Sequence, residues 1–473
     1  MADEDVAEHD DLREDFEEDT SETADDFERA YDDMAGSTDD EISSAPASTT
    51  TASDTEGSRF ESELDDDVEI ISLTHLSEGE VRVVCIQQHV ADNIDLGLHS
   101  LAGNTSYHGT ATIRISTPEP DNPSVLVINR KPLITSERKA ELLKLFSIQL
   151  VPYHKRECLL NTITFRPYIE LQAKFKSATK LLACCADFLW LAGWGVRTQD
   201  KTYYHMNWKG FMKTVHPANT RSKSFIEILP VIDADPNSYT AIHTTLLNCI
   251  YQSDTKPGTP IIVTFDFPLW IRATEIVLSL KMPIVVRLGG FHLLKSYLGS
   301  VGHIMSGSGI EDLIKIVFPS IGDSTVSHIM SGGAYYKALR CLFLIDAALV
   351  THLMKGSLSD DELKVVRTSI KSTIDVRSGS GQMTGEVLKF KDILEQKLID
   401  LTTMGRTPRL WIQFHKYVTV IKAFIRAERL HLIDLHFSCV VEMLPTFAAA
   451  GHTKYAKGAR LYLEQMSEHM INH

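Results

Sequence analysis

Two short, almost continuously apolar runs constrain this chain more than any other feature. They are 260–265 (Pro260-Ile261-Ile262-Val263-Thr264-Phe265) and 283–288 (Pro283-Ile284-Val285-Val286-Arg287-Leu288). Between them Leu269, Ala273, Ile276, Val277 and Leu280 recur at the 3.6-residue spacing of a helix over 269–280. Strands apolar on both faces belong to a buried parallel sheet. A strand, helix and strand in that order form a right-handed parallel unit. The chain is therefore expected to build an α/β sheet, with Asp266 directly after the first of these strands. Acids in that position are where α/β proteins handle metal ions and phosphates.

A second acid, Asp92, follows another β-branched run, 81–91, read as a strand that ends there. That strand must lie beside the parallel pair to bury its apolar side chains. Asp92 and Asp266 are then expected side by side at the carboxyl ends of adjacent strands, with Asn93 and His292 near them. Two divalent ions about 4 Å apart can activate a nucleophile and stabilise a leaving oxygen at phosphorus. Mg²⁺ prefers carboxylate oxygens for that work. Each acid also has a plain structural reading. Asp266 lies two residues before Pro268 and fits an N-cap of the 269–280 helix, and Asp92-Asn93 fits a turn.

The candidate third acid is Glu428, which continues the stripe Phe414, Val418, Ile421, Ile425 toward the core side of a helix over 409–429. A buried carboxylate needs a partner. A metal would serve, and so would Arg426 or Arg429. Glu311, three residues after Ser308, fits a capping box. His292 leaves the last strand through Gly289-Gly290-Phe291 and suits either a phosphate contact or a satisfied core position. Arg287 and Lys295 flank it as candidate contacts to a nucleic-acid backbone. No phosphate-binding loop, nucleophile elbow or dinucleotide fingerprint occurs.

Charge divides the 473 residues unevenly. Residues 1–70 hold 28 Asp and Glu against 3 Lys and Arg, and the remaining 403 hold 35 against 44. Residues 1–67, poor in large apolar groups, are expected to be a disordered acidic tail. The mildly basic body suits a polyanion such as DNA, or carries ordinary surface charge. The tail suits an unidentified protein partner with a basic surface. The seven cysteines include no Cys-x-x-Cys pair, which predicts buried thiols in a reducing compartment and no structural zinc. The apolar runs Leu181–Val196 and Ala338–Met354 carry Asp187 and Asp346 and are short for a bilayer span, so they read as buried helices. The expectation is a protein without membrane segments, intracellular, in nucleus or cytoplasm.

The remaining elements read as strands at 68–73 and 107–117, the latter closing a long-looped hairpin, and a strand at 225–232. Helices are read at 136–147, 236–251 and 431–447, and a loop tip at 374–383. The order is strand, strand, strand, helix, strand, helix, strand, helices. That is the order of a ribonuclease-H-like mixed sheet, here with a large insertion at about 120–224. A core over 68–300 and a mostly helical region over 301–473 follow from it.

At these residues the chain resembles an uncharacterised family present in many copies in invertebrate genomes, whose distribution suggests mobile elements. The resemblance rests on Ala91–Gly109, Ile228–Asp235, Val263–Trp270, Arg287–Gly309, Ala427–Arg429 and Gly451–Ala456. It implies a transposon-derived protein, similar in layout to cut-and-paste transposases with a ribonuclease-H-like core. Asp92, Asp266 and Glu428 would be its catalytic Mg²⁺ ligands, in a nuclease or strand-transfer reaction on DNA. This chain has Asp95-Leu96-Gly97 where the family tends to have Asp-His-Asn, and relatives continue beyond the position of His473. Both departures imply a diverged or incomplete copy. The alternative is a non-catalytic scaffold whose acidic tail recruits a partner.

Overall fold

The computed structural model describes residues 68–71 (backbone only), 85–100, 103–118, 148–154, 164–199, 205–215, 224–253, 261–355 and 385–472, with a few isolated positions between 359 and 368. The expected tail (1–67), the helix at 136–147 and the loop tip at 374–383 lie outside the described residues.

Six strands form one mixed sheet: β1 (Val68–Ile71), β2 (Cys85–Ser100), β3 (Gly103–Pro118), β4 (Ser224–Ile228), β5 (Ile261–Phe265) and β6 (Ile284–Leu288), in the order β1-β4-β3-β2-β5-β6. The described helices are α1 (Tyr168–Lys174), α2 (Thr179–Gln199), α3 (Trp208–Val215), α4 (Tyr239–Gln252), α5 (Phe267–Leu280), α6 (Gly290–Met305), α7 (Ile310–Val317), α8 (Asp323–Met330), α9 (Tyr335–Lys355), α10 (Gly385–Thr403), α11 (Arg406–Leu430), α12 (Ile433–Ala449) and α13 (Thr453–Asn472). The result is a mixed α/β protein with a mostly helical C-terminal region. None of the described helices is long and apolar enough to cross a membrane.

The hairpin differs from the sequence expectation. β2 does not end at Asp92. It pairs antiparallel with β3 from Cys85↔Pro118 to Ser100↔Gly103. Ile94, Leu96 and Leu98 continue the alternation past the acid, so the strand continues too. Gln87, His89 and Ala91 point to a buried face, and Asp92 stands exposed in mid-strand opposite Ala111.

The chain clusters into two compact units. The first comprises 1–153, 221–263 and 283–285, and the second 154–220, 264–282 and 286–473. In the first, β4 pairs antiparallel with β3 and parallel with β1. Arg114 of β3 donates to the Glu227 carboxylate of β4 and to the Gln252 carbonyl, tying the sheet to the end of α4. Ser238 caps α4 by accepting from Ala241 N at 3.1 Å, so the helix starts three residues after Pro236. Its face of Ala241, Ile242, Thr245, Leu246 and Cys249 is buried.

The second unit is a helical body. Phe414, Val418, Ile421 and Ile425 of α11 are buried as the 3.6-residue spacing requires. The acids inside the two long apolar runs are ion-pair partners. Asp187 of α2 accepts from Arg426 (2.7 Å) and from the Trp208 indole (2.9 Å). Asp346 of α9 accepts from Lys422 (2.7 Å) and from His415 (2.6 Å). Fully buried charges persist only when paired in this way.

Candidate functional site

The second unit places most of the expected site residues around one junction. β6 buries Ile284, Val286 and Leu288 on one face, so Arg287 points to the other. Gly289 and Gly290 then turn the chain into α6. Gly289 N donates to the Phe265 carbonyl at 2.7 Å. A Cβ on Gly289 would lie 2.9 Å from that oxygen and 3.7 Å from Asp266 Cα. One on Gly290 would lie 2.9 Å from the Glu428 carboxylate. The glycine pair therefore lets the end of β5, the start of α6 and the last turn of α11 approach one another.

Asp266 is the N-cap of α5, its Oδ1 accepting from Leu269 N at 3.2 Å. Glu428 is held by two cations or donors from separate elements. Arg287 Nη2 donates to Oε1 at 2.6 Å and to Oε2 at 2.7 Å. His436 Nδ1 of α12 lies 2.6 Å from Oε1, and its Nε2 lies 3.2 Å from the Tyr462 hydroxyl of α13. These distances suit a neutral imidazole donating through Nδ1–H and accepting at Nε2. Burial opposes the charge of Glu428, but His436 and Arg287 outweigh it and hold the carboxyl down at about 2. Burial lowers the His436 pKa, only partly offset by Glu428.

Glu428 thus has partners other than the expected Arg426 and Arg429, since Arg426 turns inward to Asp187. Arg287, expected at a nucleic-acid backbone, donates to Glu428. Glu311 accepts from Gly307 N and Ser306 rather than from Ser308. His292 and Lys295 are half-buried on the first turns of α6, with the His292 ring 5.2 Å from that of Phe291. Asp92 lies in the first unit, where its Oδ1 accepts from Asn93 N at 2.9 Å. Among the described residues, no three His, Cys, Asp or Glu gather into a group that could hold a metal ion.

Residues 207–471 match a family described as a domain of unknown function (DUF8702). The chain belongs to that family. No curated protein and no solved structure matches it. The DUF8702 segment takes in Asp266, Arg287, His292, Lys295, Glu428, His436 and Tyr462, but not Asp92, nor the hairpin that carries it. The junction at Gly289-Gly290 lies within the matched segment. The sequence reading missed His436 and Tyr462. The one available signal was the break after Leu430, where His431 adopts φ 53° and returns the chain so that α12 faces α11.

Proposed function

We propose that the chain is a transposase-like protein of mobile-element descent that engages DNA through a ribonuclease-H-like core. The sheet order supports this reading. Setting aside the edge strand β1, the order is β4-β3-β2-β5-β6. The first long strand, β2, is thus flanked by its hairpin partner and by the strand that precedes Asp266. That is the arrangement in which a ribonuclease-H-like fold brings acids from its first and fourth strands to the centre, and it remains fold-level analogy. In that reading Asp92, Asp266 and Glu428 are the acid set, and Mg²⁺ is the ion they would hold.

The donor set at the junction does not fit a divalent ion as it stands. Both Glu428 oxygens accept from Arg287, and one also accepts from His436. Asp266 spends an oxygen on the α5 cap. A cation already neutralises the carboxylate that would have to bind metal, so we read the chain as a DNA-engaging body without metal-dependent cleavage. Thermal unfolding in Mg²⁺ or Mn²⁺ tests this. Wild type and an Asp92→Asn, Asp266→Asn double variant should respond alike, since Asn also caps helices well. A rise in Tm confined to the wild type would replace this reading with the catalytic one. Failure of the wild type to bind any DNA at low salt would remove both.

A further inference from the structure

We propose that Phe291, Tyr335 and Tyr336 form a stacking platform for unpaired nucleobases beside the Arg287–Glu428 junction. This rests on the DNA-engaging reading and names its substrate as single-stranded or locally unpaired DNA.

The platform is built from the first turns of α6 and α9. The Phe291 and Tyr335 rings lie 4.9 Å apart, and Tyr335 and Tyr336 lie 5.2 Å apart, edge to face. His292 adds a ring 5.2 Å from Phe291. Phe291 is 49% exposed and Tyr336 82% exposed. Apolar rings left in water on two adjoining helix starts gain nothing for folding, whereas a base with its own π-face covers them.

The charge around the rings selects the occupant. α6 contains no Asp or Glu, and the single acid of α9, Asp346, is fully buried against Lys422 and His415. The same two helices carry Lys295 one turn beyond Phe291, and Lys337 and Arg340 just beyond Tyr336. Exposed Arg429 acts on the Tyr335 hydroxyl, which burial chiefly, and then the Tyr336 neighbour, push up to about 12. The nearby carboxylate, Glu428, is offset by Arg287. Rings interleaved with basic side chains, and no uncompensated acid on either helix, match a strand whose phosphates follow the cations while its bases stack.

The test compares the full chain with Tyr336→Ala, Phe291→Ala and Tyr336→Trp by fluorescence anisotropy at low salt. Three probes of equal length serve: oligothymidylate, an abasic strand and a duplex. The wild type should bind oligothymidylate more tightly than the abasic strand. Each Ala variant should weaken oligothymidylate binding about tenfold, the scale of one lost base–aromatic stack. Abasic and duplex affinities should stay unchanged, and Tyr336→Trp should restore oligothymidylate binding. Equal oligothymidylate affinity for wild type and both Ala variants would overturn the platform while leaving duplex engagement intact. No binding of any probe by the wild type would overturn the DNA-engaging reading and the platform with it. At its exposure, Tyr336 can be truncated without disturbing the core, so unchanged circular dichroism separates lost stacking from lost fold.

Discussion

Acid works against the Arg287–Glu428–His436 cluster, and the sign follows from each group. Both Glu428 and His436 bind protons more weakly folded than unfolded. Each therefore contributes stability that is fully present above its unfolded pKa and lost as pH falls toward its folded one. For His436 the loss begins as pH drops below about 6.5; for Glu428 it runs from about 4.5 down to about 2. The urea midpoint of the wild type should fall between pH 7 and pH 5. A His436→Gln variant, which keeps a donor and an acceptor but cannot titrate, should fall less steeply over that range. Parallel slopes would place the acid sensitivity elsewhere. Glu428→Ala at pH 7 should cost roughly 2 kcal/mol, between the values for exposed and buried pairs, because Arg287 would be left half-buried without its carboxylate partner. The same cluster shows where sequence reading stopped. The helical stripe pointed Glu428 inward, and a partner was required. Which groups would meet it depended on a strand 141 residues away and a helix beyond a left-handed turn.

At the scale of elements, close approach is set by glycines. Gly302 of α6 packs against the end of α8, where a Cβ would lie 1.9 Å from the Met330 carbonyl oxygen. Gly299, one turn earlier, faces the Ser331 carbonyl, and Gly332 faces that of Lys295. Gly302→Ala should therefore cost about 1–3 kcal/mol by overpacking, since the obstacle is backbone and cannot rotate away. A urea midpoint within error of the wild type would mean that the two helices separate at little cost. Nothing in the sequence around these glycines marks the backbone that each of them meets. The parallel pair and its linking helix were legible because each strand is apolar at all but one position (Thr264, Arg287) and the helix between them has an unbroken 3.6-residue stripe. α11 and α12 emerged within a few residues of their observed ends for the same reason. β2 was misjudged because Asp92-Asn93 and Gly97 look like a turn. Pairing with β3 over sixteen residues overrides that local preference. The acid then stands in mid-strand.

At the scale of the molecule, charge is divided unevenly along the chain. Residues 71–473 carry nine more Lys and Arg than Asp and Glu, whereas residues 1–70 carry 25 more acids than bases. α6 and α9 contribute Lys295, Lys337 and Arg340 and no unpaired acid of their own. Under the DNA-engaging reading proposed above, an acidic segment covalently linked to such a body would act as a local polyanion and compete with DNA phosphates for the same Lys and Arg. Removing residues 1–67 should therefore tighten duplex binding several-fold at low salt. The gain should shrink as ionic strength rises, because screening limits the range of its charges to about 8 Å at physiological salt. Competition also predicts that the truncated protein shows the steeper fall of affinity with salt, as more of its cations are open to displace counterions from the phosphates. Anisotropy titrations of both proteins across a salt series decide it. Equal affinities and equal slopes at low salt would mean that the tail does not reach the basic surface. Its charge would then have to be explained by a separate, basic protein partner.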